Sequence, residues 1–113
     1  MGITDAEIER IRRAAGLMST DTVTFRDLER IVEAGRGLGH LPVMFGMLRL
    51  ADGTVVLRFS YAYGLHLTSR VFSEHSVWPY PGLSGDEGVR AAMEWLTDAM
   101  HRLTEAFEKH RNV

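Results

Sequence analysis

The chain of 113 residues contains no cysteine. That absence excludes a disulfide framework, thiolate catalysis and cysteine-based zinc sites together. Proline occurs three times, and two of the three fall within the short stretch Trp78-Pro79-Tyr80-Pro81-Gly82. No segment approaches the roughly 18 consecutive apolar residues of a membrane-spanning helix, and no basic-then-apolar leader opens the chain, so a soluble, cytoplasmic protein is expected. Nor is there a strong excess of either charge. The formal net charge of −2 argues against a protein whose whole surface grips nucleic acid, although a local basic patch is compatible with it.

What is present is ordinary for a folded domain. A hydrophobic content of 45% and a charged content of 25% match globular composition, and the length suits one core in a single α+β domain spanning residues 1–113. Two short N-terminal helices are expected. Thr4 with Glu7 forms an S/T-x-x-E capping box, Ile3 and Ile8 supply a hydrophobic staple, and Gly16 stops the first helix. Thr24 opens the second with Asp27 in its first turn, and the stripe Phe25, Leu28, Ile31, Val32 runs up to Gly35. Gly35-Arg36-Gly37-Leu38-Gly39 then reads as a flexible connector. It closes a helix and leads to a strand, the reverse of the order in a phosphate-binding loop.

Leu41 to Phe72 reads as a three-stranded antiparallel meander around Asp52-Gly53, because an Asp-Gly pair between alternating apolar runs is a strong hairpin signal. A two-residue turn there pairs Leu50 with Val55, Leu48 with Leu57, Gly46 with Phe59 and Met44 with Tyr61. The opposite face then carries Val43, Phe45, Met47 and Arg49 against Val56, Arg58, Ser60 and Ala62. A third strand is expected over about Leu65 to Phe72. After a loop from Glu74 to Leu83, Ser84 and Glu87 form another capping box, and one long helix runs to about Lys109. Its inner stripe is Val89, Met93, Leu96, Met100, Leu103 and Phe107, widened by Ala92, Trp95, Ala99 and Ala106. Glu94, Asp98, His101, Glu105 and Glu108 line its wet face. The order is α-α-β-β-β-α, and its α-β-β-β-α portion resembles the fold of secretion chaperones in architecture only.

The sheet lacks the polar alternation of a solvated face. An apolar second face marks an interface, so a homodimer or a protein partner is expected there. The proline-stiffened loop with His75, Trp78 and Tyr80 is a second partner-binding candidate, since rigid amphipathic rings lose little entropy on binding. Partner-binding residues are accordingly Trp78, Tyr80, His75, Phe45, Met47, Arg49 and Arg58. Chemistry is not expected. The five histidines share no ligand spacing, Ser84 lacks a nucleophile elbow, and Glu94 with Asp98 reads as a solvated pair. No cofactor or metal motif is present. The reading is a non-catalytic protein-interaction protein (an adaptor, chaperone-like protein or inhibitor). The alternative is a winged-helix-like or sheet-based nucleic-acid-binding regulator, drawing on the cluster Glu9-Arg10-Ile11-Arg12-Arg13 and on Arg49, Arg58 and Arg70.

Overall fold

Three helices flank an antiparallel sheet in an α+β arrangement; the computed structural model describes residues 2–42, 45–51, 55–60, 66–72 and 82–111. Helix α1 spans Asp5–Ala14. Thr4 begins it as expected: its Oγ1 accepts the Glu7 N–H at 3.2 Å, and its hydroxyl donates to Glu7 Oε1 at 2.9 Å. At the far end Gly16 takes φ 77. Gly16 N–H donates to Arg13 O at 3.0 Å and Leu17 N–H to Arg12 O at 3.1 Å, the paired bonds of a Schellman stop. Ile8, Ile11 and Ala15 are buried on one side.

The second helix starts with a single 3-10 turn, Phe25–Asp27, and continues as α2 over Leu28–Gly37. The buried Asp27 carboxylate accepts the Thr24 N–H at 2.8 Å and the Thr24 hydroxyl at 3.2 Å, and it pairs with Arg30. The expected stop at Gly35 does not occur. Gly35 and Gly37 lie within α2, so the flexible-connector reading of 35–39 is corrected. A Cβ on Gly35 would sit 3.0 Å from Leu41 Cδ1 and 3.3 Å from Met93 Cε. The missing side chain lets the chain after α2 and the last helix close onto it. Only Gly39, at φ 82, needs the left-handed backbone in this stretch.

Strand β1 (Phe45–Arg49) pairs antiparallel with β2 (Val55–Ser60). The partners are Phe45↔Phe59, Gly46↔Arg58, Met47↔Leu57, Leu48↔Val56 and Arg49↔Val55. This register differs by one residue from the one a two-residue turn at Asp52-Gly53 imposes; Asp52 and Gly53 themselves lie outside the described residues. Side chains alternate with period two, so the slip exchanges the two faces of β1 while those of β2 stay as expected. Phe45 is 0% exposed and Leu57 1%, with Met47 packed against the same core, whereas Leu48 is 49% exposed. The larger ring takes the inside because it removes more apolar area from water.

Helix α3 spans Gly85–Arg111. Its first residues are tied to the connector between α1 and α2: Val23 N–H donates to Leu83 O at 2.9 Å and Gly85 N–H to Asp21 O at 3.0 Å. Thr22 bridges Ser84 there. Gly88 sits so near that connector that a Cβ would lie 2.5 Å from Val23 Cγ2. Val89, Ala92, Met93, Trp95, Leu96 and Ala99 are buried, while Glu94, Asp98, His101 and Glu105 are exposed, the division expected from their spacing. The three helices pack on one another, α2 lies against β1, and α3 lies against β2. Leu96 is fully buried in this cluster. Leu96→Ala is expected to lower unfolding stability by about 2–5 kcal/mol, read as a lower urea midpoint at unchanged slope. A change under half a kcal/mol would show that the α3 stripe is not core.

Candidate functional site

The helices occupy the sheet face that carries Phe45 and Leu57. The other face of the hairpin holds Gly46 and Leu48 on β1 against Arg58 and Val56 on β2. Leu48 is 49% exposed and Leu50, just past the strand, 42%; Val56 and Arg58 are part-exposed. Gly46 faces open space, with no heavy atom within 4 Å of where a Cβ would stand. A stripe of aliphatic surface thus runs along a strand at the margin of the sheet.

This surface is not composed as expected. Phe45, assigned to the outer face from sequence, is completely buried, and Met47 packs against the core. Both are corrected from partner-binding to inward positions; Leu48 and Leu50 are the aliphatic residues that face out. Arg49 and Arg58 are not cross-strand partners: Gly46 stands opposite Arg58 and Val55 opposite Arg49. The third group of partner-binding candidates, His75, Trp78 and Tyr80, lies outside the described residues.

Within the basic cluster of α1, Arg12 and Arg13 are both paired with carboxylates. Arg12 is 8% exposed. Its Nε donates to Asp86 Oδ1 at 2.6 Å, its Nη1 to Leu17 O at 2.8 Å, and Glu9 lies 3.9 Å away. Arg13 pairs with Glu9 at 2.7 Å. Arg12 therefore joins the end of α1 to the start of α3 and does not offer its charge to a phosphate backbone. Arg90 makes a parallel clamp, donating to Ile3 O at 2.8 Å and to Asp5 Oδ1 at 2.5 Å. His40 Nδ1 stands 3.2 Å from Glu7 Oε2. Among the described residues no group of three or more acidic, His or Cys side chains converges as a metal site would require.

Described residues line two notable concavities. A groove of about 360 Å³ between the N-terminus and α3 has an apolar floor of Ile3, Ile8 and Met93 and is bordered by Arg90, Glu94, Thr97 and Asp98. Glu94 and Asp98 are both exposed, and the Thr97 hydroxyl donates to Met93 O at 2.8 Å within its own helix. The groove brings no nucleophile beside a base. A wider, shallower depression between α1 and α2, about 540 Å³, is lined mainly by Ala14, Ala15, Ala34, Gly37 and Leu38 with Arg30 and Glu33 at its edge. Neither has the few convergent polar groups over an apolar wall that mark a small-molecule site.

Comparison with known proteins found no match to a family model, a curated protein or a solved structure. Among the described residues no helix is long and apolar enough to cross a membrane. The outer hairpin face is accordingly the candidate site, on its own chemistry.

Proposed function

We propose that the chain is a small non-catalytic protein-interaction protein of the adaptor, chaperone-like or inhibitor kind. It self-associates through its sheet, taken as a complete three-stranded meander, and it acts in the cytoplasm, a compartment that suits a chain without cysteine. The observation that carries the reading is Leu48, half exposed beside Leu50 on the sheet face that also carries Gly46, Val56 and Arg58. Aliphatic surface gathered at one place on a strand is what an interface buries, at about 25 cal/mol per Å² removed from water. Arg58 at its border supplies a polar rim, as interfaces have.

Light scattering of the purified chain across the micromolar range is expected to give twice the 12.7 kDa chain mass. Leu48→Glu combined with Leu50→Glu is expected to shift the mass to that of one folded chain with an unchanged far-ultraviolet circular dichroism spectrum, because both residues lie outside the core of the single chain. A chain that stays monomeric throughout that range overturns the self-association.

A further inference from the structure

Strand β1 pairs with β2 along one side, and among the described residues no strand lies along its other side. Such an edge offers unpaired N–H and C=O groups and is the natural place for another strand to add. The Phe45 N–H donates to Pro42 O at 3.0 Å, away from β2. Hydrogen-bonding direction alternates along an antiparallel strand. Met47 and Arg49 therefore turn their backbone groups to the open side, while Gly46 and Leu48 spend theirs on β2.

The same strand carries a knob and a hole. Leu48 projects half exposed from the outer face, and Gly46, two residues earlier on that face, opens onto empty space. We infer that the occupant of the β1 edge is a second copy of this chain, paired antiparallel about a two-fold axis at Met47. In that register Met47 exchanges backbone hydrogen bonds with Met47 of the second copy. Leu48 of each chain lies over Gly46 of the other, so the exposed side chain fills the empty space twice. Arg49 falls opposite Phe45 of the second copy and not opposite another Arg49, which avoids a like-charge pair. A parallel alignment in register would stack Leu48 on Leu48 and leave both glycines uncovered. Isologous contacts require one patch to complement itself, and a knob and a hole placed evenly about Met47 do so. This inference rests on the self-association proposed above and adds the edge, the partner and the register.

The chain has no cysteine, so introduced thiols report without interference. Gly46→Cys and Leu48→Cys chains are mixed, equilibrated and mildly oxidised. Opposed residues of a non-hydrogen-bonded pair stand about 4.5 Å apart between Cα atoms, within disulfide reach, whereas diagonal neighbours stand at about 7–8 Å. The mixture is expected to yield the linked heterodimer, and either variant alone is expected to lose it. Amide exchange of the unmodified chain gives a reading that no substitution can disturb. Met47 and Arg49 are expected to gain protection as concentration rises, with Gly46 and Leu48 unchanged. A chain that is monomeric by light scattering overturns both this register and the self-association. A dimer with no 46–48 linkage, or with no gain of protection at Met47, overturns the edge pairing and leaves association through the outer face standing.

Discussion

Phe45→Ala is expected to cost about 3–5 kcal/mol of folding stability, the range for deleting a fully buried aromatic ring. Phe45 is 0% exposed and heads the largest fully buried side chains, among them Leu57, Ile31 and Met93. Truncation removes the transfer energy of the ring and leaves a cavity between β1 and α2, which the three-helix cluster behind it can collapse only in part. A small domain has little reserve against such a loss. Phe45→Glu is expected to be worse, since it buries a charge among aliphatic groups, and it should give an unfolded or aggregated chain, not a folded monomer. Urea denaturation followed by circular dichroism distinguishes the two pictures. An outward Phe45 would leave the midpoint of Phe45→Ala within about half a kcal/mol of the parent. The neighbouring Leu48→Ala supplies the contrast when measured at a concentration low enough to keep the chain monomeric, with an expected change inside that same margin.

Gly85→Ala is the second substitution with a large expected effect. Gly85 opens α3 at φ 56, and its N–H is held by Asp21 O at 3.0 Å. A Cβ there would run into the carbonyl oxygen of Ser19, a backbone atom in the tied connector. The left-handed conformation costs a residue with a Cβ about 1–2 kcal/mol. Displacing the connector adds about 1–3 kcal/mol as overpacking does. Together these give about 2–5 kcal/mol and a melting temperature lower by several degrees for each kcal/mol. Because the connector also carries the bonds to Leu83 and the bridge to Ser84, the loss should loosen the start of α3 first. Amide exchange at Val23 and Gly85 reports that directly. Gly37→Ala is the control: it stands within α2 with nothing within 4 Å of a Cβ, so it should hold or raise stability by up to about 1 kcal/mol. Equal effects at Gly85 and Gly37 would show that close approach to Ser19 does not govern the site.

How much of this was legible beforehand depends on the distance over which each signal acts. The limits of α1 lie in Thr4, Glu7 and Gly16, residues that meet within one or two helical turns, and the structure has them there. The inner and outer stripes of α3 follow from a period of 3.6 that no distant residue alters, and Leu96 and Glu94 fall where that period puts them. The faces of β2 were equally readable, with Leu57 in and Val56 out.

The apolar second face was legible as a surplus, because the hairpin has more large aliphatic and aromatic residues than one face can take. Which of them stay outside was not. That choice turned on whether Phe45 or Leu48 faced α2, and the turn signal at Asp52-Gly53, a local preference of small energy, yielded to burial of the larger ring against elements distant in sequence. The same holds for Arg12, which belonged to a basic cluster in sequence until Asp86, 74 residues away, came within 2.6 Å of it. Gly35 and Gly85 were visible only as glycines; that one admits Leu41 and Met93 and the other clears the Ser19 carbonyl is decided by what folds against them. Sequence alone determined the elements whose signals close within a few residues. Tertiary structure decided which face of β1, which charge of α1 and which glycines matter, because those depend on groups that become neighbours only when the helices settle onto the sheet.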